Sequence, residues 1–306
     1  VVDLVNERAK GLAAPYNARF GADWRQAVAD PDVAFVLVLT YPDSHARISI
    51  AAMEAGKDVL CEKPLARTLT EARQMVSIAR KTKRILKCGF NHRHHPAVEK
   101  AYELYKKGVI GKSVFGRGRY GITGRKGVEK EWRSDPAIVG GGQLMEQGIH
   151  MVDLFRWFVG DIVKVTGFVG TNYWPISVED NGFALLQTKT GVTISIHSSL
   201  TQWINLFEFE LYGEKGSLSI SGLGGSYGTQ RLTIAPRDPN GPFSYETIEY
   251  RGTDTSWKNE WDEFIGGIGK REQVMMGSGI DGLRAMEIVD SVYTASKTNK
   301  TIILSK

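Results

Sequence analysis

Between Val33 and Lys112 the sequence passes three times from a short apolar run to a longer amphipathic one. "VAFVLVLTY" has the length and β-branched content of a buried strand, and "DSHARISIAAMEAG" follows with helical spacing and Gly56 placed to end it. "DVLCEKP" is a second short strand closed by proline. "TLTEARQMVSIARKTK" reads as an amphipathic helix opened by a Thr68–Glu71 capping box and finished by basic residues. "ILKCGF" and "PAVEKAYELYKKG" repeat the pattern, with Pro96 in the first helical turn, where a missing N–H costs nothing. Strands alternating with helices at this spacing form βαβ units, hence a parallel sheet covered on both faces. Residues 1–112 are expected to be one such α/β domain.

From Ser113 the period shortens to two. "SVFGRGRY", "VTISIHSSL" and "FEFELYG", separated by Gly and Asn turns, predict an α+β domain over 113–306 with a mostly antiparallel open sheet. A strong helix, "LMEQGIHMVDLFRWFVG", interrupts it, and the helix "DGLRAMEIVDSVYTASKTN" and strand "TIIL" close the chain. A length of 306 residues suits two domains.

Several function classes are disfavoured. No apolar run approaches the roughly 20 residues that span a bilayer, and no signal-peptide pattern opens the chain, so no membrane partner and a cytoplasmic location are expected. The two cysteines, Cys61 and Cys88, sit in strand-like segments and read as buried small hydrophobes rather than a disulfide framework. The net charge of +5 is dispersed among 34 acidic residues, so no nucleic-acid partner is expected. "GRGRYG" (Gly116–Gly121) matches a dinucleotide-binding string but lies in a predicted antiparallel strand and opens no helix. "GLGGSYG" (Gly222–Gly228) is a loop. "NHRHHP" crowds His92, His94 and His95 into a short turn from which they cannot converge on one ion without further ligands, so no metal is expected.

Two stretches carry chemistry. In "CEKPLARTLTEA" a lysine, Lys63, stands at the end of a parallel strand, where open α/β sheets bind ligands, with Glu62 beside it. In "GGQLMEQGIHMVD", Glu146 and His150 are four apart and share a helix face, a spacing that makes a general acid/base pair; Asp153, three beyond the histidine, is the alternative orienting carboxylate.

These stretches, with "YPDSHARISIAAMEAGKDVLCEKPLA", "GFNHRHHPAV" and "KEWRSDPAIVGGGQLMEQGIHMVDLFRWFVGD", resemble the Gfo/Idh/MocA family (glucose-fructose oxidoreductase, inositol dehydrogenase, MocA) over nearly the whole chain. The resemblance implies a Rossmann-type cofactor domain and an NAD(P)-dependent oxidoreductase that moves a hydride between nicotinamide and a secondary alcohol of a sugar, polyol or sugar derivative. It implies that Lys63 hydrogen-bonds the reacting hydroxyl and that His150 takes its proton, with Glu146 as the histidine's partner where family members more often carry aspartate. It places Thr40, Pro42, His45, Glu62, Lys63, Asn91 and Arg93 at the cofactor, with Asp43 where asparagine is common. Trp132 and Arg133 fall near the active-site entrance. Tyr120, Lys130, Arg133, Trp203 and Trp257 are the candidate substrate contacts, and a homo-oligomer, dimer or tetramer, is expected through the C-terminal sheet. Two rival readings are an NAD-dependent glycoside hydrolase on the same scaffold and a non-catalytic partner protein that retains the fold.

"VVDLVNERAK" reads against this family as the end of a strand, an acid and the start of a helix. Asp3 then matches the acid that binds the adenosine ribose, and Leu4 after it, rather than an arginine, favours NAD over NADP. The Rossmann-type sheet is expected to lack its first strand and Gly-rich loop. The chain is thus expected to be a fragment that binds NAD poorly by itself.

Overall fold

The computed structural model describes residues 1–270 and 276–304. Helices α1 (Asn6–Ala13) and α2 (Trp24–Ala29) precede β1 (Phe35–Val38), α3 (Pro42–Glu54), β2 (Asp58–Glu62), α4 (Leu69–Thr82) and β3 (Leu86–Gly89). The three strands form a parallel sheet in the order β1-β2-β3, with Val38, Cys61 and Cys88 in register. Both cysteines are buried free thiols. The expected capping box is formed at both its ends, Thr68 Oγ1 accepting from the Glu71 N–H while Glu71 reaches back to the Thr68 N–H. Gly56, just beyond α3, takes a φ of 80°, the left-handed conformation that favours glycine. Near the N-terminus Val2 makes a parallel bridge to Gly21, separate from this sheet. The carboxyl ends of β1, β2 and β3 deliver Thr40, Lys63 and Asn91 to one rim.

Helix α5 (Pro96–Lys106) leads into β4 (Ser113–Thr123), then α6 (Pro136–Val139), a π-helical turn (Leu144–Gly148) and α7 (Ile149–Val159). Strands β5 (Ile162–Gly170), β6 (Asn181–Thr188), β7 (Thr193–Ser199), β8 (Thr201–Gly213), β9 (Gly216–Ser221), β10 (Gln230–Pro236) and β11 (Glu246–Tyr250) follow. Helices α8 (Ser256–Lys270) and α9 (Gly279–Thr298) and strand β12 (Ile302–Ile303) complete the chain. The second sheet runs β11-β10-β9-β8-β4-β7-β6-β5-β12; all its pairings are antiparallel except β4 with β7.

Helix α7 lies across one face of this sheet, and the first two glycines of "GRGRYG" make room for that contact. A Cβ at Gly116 would sit 2.5 Å from the Phe155 ring, and one at Gly118 would sit 3.0 Å from Met151 Sδ. The string that mimics a phosphate loop is a seat for a helix. The opposite face is open: a cross-strand row runs Phe168, Phe183, His197, Arg119, Glu208, with Phe168 and Phe183 exposed.

A division of the chain at residue 112 is not a division of packing. Phe264 of α8 packs with Leu60 and Ile85 of the N-terminal part and meets Phe35 edge-on at 5.8 Å. Gly282 of α9 lies so close to Cys88 that a Cβ would be 3.0 Å from its sulfur. Apolar faces on the last two helices, together with the small residue at 282, send them back to the parallel sheet. Among the described residues no helix is long and apolar enough to cross a membrane.

Candidate active site

A cavity of about 210 Å³ opens at the carboxyl ends of β1 and β2, lined among others by Thr40, Pro42, Glu62, Lys63, Arg133 and Glu146. His45 on α3 does not line it but braces two stretches that do. This buried ring lies between two carbonyls, Nδ1 2.9 Å from Pro64 O and Nε2 3.0 Å from Thr40 O, and so ties the end of β1 to the Lys63–Pro64 turn, whose peptide is cis. Burial pushes its pKa down. The Glu62 carboxylate accepts from the Lys63 backbone N–H at 3.1 Å, and Lys63 Nζ donates to the Glu146 carbonyl at 2.6 Å. The lysine therefore spans from the parallel sheet to the segment that carries Glu146 and His150.

That segment is located by glycines. A Cβ at Gly140, whose φ is 74°, would lie 2.1 Å from Arg67 O; one at Gly141 would lie 2.4 Å from the Tyr293 hydroxyl; one at Gly142 would lie 2.1 Å from Glu179 O. Buried Glu179 then accepts from the N–H groups of Gly142 (2.7 Å) and Leu144 (3.0 Å) and from the Tyr293 hydroxyl (2.8 Å). This is an anionic cap on the first turn of the site-bearing helix. Burial raises the Glu179 pKa, opposed by those donors.

Glu146 and His150 do not pair as their spacing suggests. The intervening turn is π-helical, which shifts the register that four residues would have on an α-helix. The Glu146 carboxylate instead accepts from Arg133 Nε at 2.6 Å, a charge-assisted bond that a neutral imidazole cannot match. Asp153, the alternative partner, is likewise engaged elsewhere. It receives Arg93 Nε at 2.8 Å and Nη2 at 2.6 Å in a buried bidentate pair.

His150 stacks on a second histidine. The rings of His92 and His150 have centroids 3.7 Å apart, and Phe90 meets His150 edge-on at 5.9 Å. The Nδ1 of His150 is buried without a partner, and no hydrogen bond to a described residue involves its Nε2. His92 is fully engaged: Nδ1 is 3.0 Å from Asn91 Oδ1 and Nε2 is 3.0 Å from the Tyr120 hydroxyl. Burial first, then neighbouring His and Lys63 charges, holds both imidazoles well below their ordinary pKa. At neutral pH His150 is a neutral ring with lone-pair capacity, the state a proton acceptor requires.

Of the residues singled out in the sequence, Thr40, Pro42, Glu62, Lys63, Glu146 and Arg133 share the cavity wall. His150 is buried and is not part of that wall, although the Lys63 charge acts on it. Asn91 orients His92 and donates to Ser256 Oγ at 2.9 Å. Arg93 does not face the cavity; it is sealed in its pair with Asp153, under the Trp157 ring. Tyr120 is buried with its hydroxyl on His92. Exposed Lys130, Trp203 and Trp257 line neither this cavity nor the one beside it. Trp203 instead meets Tyr173 edge-on at 4.9 Å. Asp3 accepts from the Val5 N–H at 2.8 Å and lies outside the cavity. Nothing in the local pattern announces His92 as a stacking partner, Glu179 as a cap, or Tyr227. This last residue, from the loop "GLGGSYG", accepts from Gln147 at 3.1 Å. Only long-range packing brings these together.

A cavity rimmed by the ends of parallel strands, with a cation and hydroxyl and carboxylate acceptors on its wall, fits the nicotinamide half of a dinucleotide. Among the described residues no strand, glycine turn and helix unit is present that would cradle the pyrophosphate. The three-stranded parallel sheet followed by the large, mostly antiparallel sheet defines the class of fold: a Rossmann-like α/β part joined to an α+β part. Residues 1–90 match the family model described as "Oxidoreductase family, NAD-binding Rossmann fold", and residues 98–219 match "GFO/IDH/MocA C-terminal domain". The chain belongs to the Gfo/Idh/MocA family. It is 29% identical over 249 residues to levoglucosan dehydrogenase of Pseudarthrobacter phenanthrenivorans, covering 70% of this chain and 63% of that protein. It is 31% identical over 197 residues to 1,5-anhydro-D-fructose reductase of Ensifer adhaerens, covering 63% and 58%. The aligned part thus spans less than two thirds of these relatives. Solved structures share the fold: levoglucosan dehydrogenase in complex with NADH and levoglucosan at TM-score 0.90 (24% identity, 100% of this chain, 90% of that one), and an oxidoreductase domain protein from Kribbella flavida at 0.88 (26%, 100% and 89%).

Proposed function

We propose that this chain carries the active site of an NAD-dependent dehydrogenase acting on a secondary alcohol of a sugar or polyol. The observation that carries the reading is the convergence of Lys63, bonded across to the Glu146 carbonyl, with a buried neutral His150 free of hydrogen bonds to the described residues. Its family membership and relatives that oxidise or reduce sugars support it.

NAD, when bound, supplies the two-electron acceptor for the carbinol carbon. The groups lining the cavity that would hold its nicotinamide half are Thr40, Pro42 and Glu62, and Asp3 is the acid for the ribose. Lys63 Nζ, given up by the Glu146 carbonyl, donates to the substrate oxygen and stabilises the charge that grows there as the proton leaves. His150 Nε2 takes the hydroxyl proton, and the low proton affinity of the ring lets it pass that proton on. Arg133 takes the Glu146 carboxylate and Lys63 the Glu146 carbonyl, so the two cations do not share one acceptor. His92, fixed by Asn91 and Tyr120, holds the imidazole of His150 by its face.

The open face of the large sheet, with Phe168 and Phe183 exposed in one row, is the surface we assign to self-association. The two buried free thiols agree with a cytoplasmic setting.

The test is a panel of sugars and polyols with NAD, following NADH by absorbance, in the native protein and in Lys63→Ala and His150→Ala. Each substitution is expected to lower kcat by about 10²–10⁴-fold. Activity surviving both removes the mechanism; sugar release without NADH points to glycoside cleavage.

A further inference from the structure

Resting on that dehydrogenase reading, we propose that a second cavity beside the first is a subsite for an uncharged ring or O-linked group of the substrate, and that the Arg133–Glu146 ion pair is its gate. This cavity, about 290 Å³, and the first, about 210 Å³, have just two lining residues in common, Arg133 and Glu146. The ion pair is a partition between them. Each cavity by itself is below the roughly 300–1,000 Å³ of ordinary small-molecule pockets, and the two joined fall inside that range.

The partition is built to move. The Arg133 side chain is 44% exposed and that of Glu146 is 32% exposed, so their bond is weakly held against water. The Arg133 guanidinium also lies 4.3 Å over the Trp132 ring, which in turn packs on Tyr41 at 4.6 Å. The guanidinium already rests on Trp132 while it bonds Glu146, so breaking that bond would still leave it the ring contact.

The second cavity's lining sets its ligand class. Its charges are committed: Arg125 is bound by both oxygens of Glu131, Arg133 by Glu146, and Glu179 by backbone and tyrosine donors. A charged ligand has no free counter-charge there. What remains is aliphatic surface from Ile176, Val178 and Leu200 and the amides of Gln143 and Gln147. The Gln143 amide nitrogen bonds to Gln147, which leaves Gln143 Oε1 an acceptor without a partner among the described residues. Aliphatic surface with an unused acceptor suits a neutral, hydroxyl-bearing or apolar ring.

Ile176→Phe narrows this cavity without touching Lys63, His150 or the ion pair. Glucose, xylose and myo-inositol are compared with phenyl β-glucoside and phenyl β-xyloside, by NADH formation and by calorimetric binding. The native protein is expected to take the glycosides, and Ile176→Phe to weaken them by about tenfold or more, a change of the size a filled apolar subsite produces, while free sugars are little affected. Rejection of glycosides by the native protein, or equal loss for both series, overturns the subsite and leaves the dehydrogenase reading standing. If nothing reduces NAD, that reading falls, and calorimetry decides the subsite by the same criterion.

Discussion

His92 and His150 lie face to face, ring centroids 3.7 Å apart and planes 18° from parallel. In that stack a proton on one ring disfavours a proton on the other, on top of burial, which is the larger cause of their lowered proton affinity. An imidazole with a lowered folded-state pKa stays neutral until the pH is well below 6.5, so the acid limb of kcat/KM is expected below that value. Stability runs the same way: the unfolded chain protonates first as pH falls, so acid weakens the fold. His92→Phe keeps the stacked surface and removes the competing charge, so the limb is expected to move toward higher pH. A pH–rate profile in both proteins checks this, and an unmoved limb excludes the stack as the cause.

The Glu179 cap predicts a separable effect on positioning. Glu179→Gln keeps the size but turns an amide NH₂ toward N–H donors, with a stability loss of about 1–3 kcal/mol. Tyr293→Phe removes one donor of the same group and should cost about 1 kcal/mol. Because the capped helix carries Glu146 and His150, kcat is expected to fall more than KM rises in Glu179→Gln, with partial recovery in Glu179→Asp. Denaturant unfolding and steady-state kinetics measure the two separately; a stability loss with unchanged kcat removes the positioning role.

Glu260 makes the opposite pH signature. It is buried in α8 with Oε1 unpartnered, and burial, opposed by Lys87 and reinforced by Glu62, Glu263 and Asp153, pushes its pKa up to about 8. A carboxyl whose folded pKa is raised costs nothing below the unfolded value, and stability declines as pH rises from there to about 8. Glu260→Gln is therefore expected to raise the free energy of unfolding at pH 8 and above by an amount on the order of a few kcal/mol, seen as a higher melting temperature, and to change little at pH 4. Equal shifts at both pH values would falsify the assignment.

The parallel sheet was legible because each strand and helix announces itself locally: the Thr68 box, the stop at Gly56 and Pro96 all act within one turn. The open sheet was legible through its period of two. What was hidden is what depends on distant partners. The spacing of Glu146 and His150 predicts a shared face, but the π-turn and the pull of Arg133 lie outside the reach of spacing. Asp153 and Arg93 each look available in the sequence, and they satisfy one another. Trp203 and Trp257 are the residues one would choose to grip a sugar, yet their strand and helix carry them to the surface.

The three glycines ahead of the site-bearing helix have a mechanical consequence. Gly140, Gly141 and Gly142 abut Arg67, Tyr293 and Glu179, which come from three separate stretches of chain. A side chain at any of the three would have to displace one of those neighbours, so the placing of Glu146 and His150 is settled by how three distant stretches of chain close on a corner that has room only for glycine.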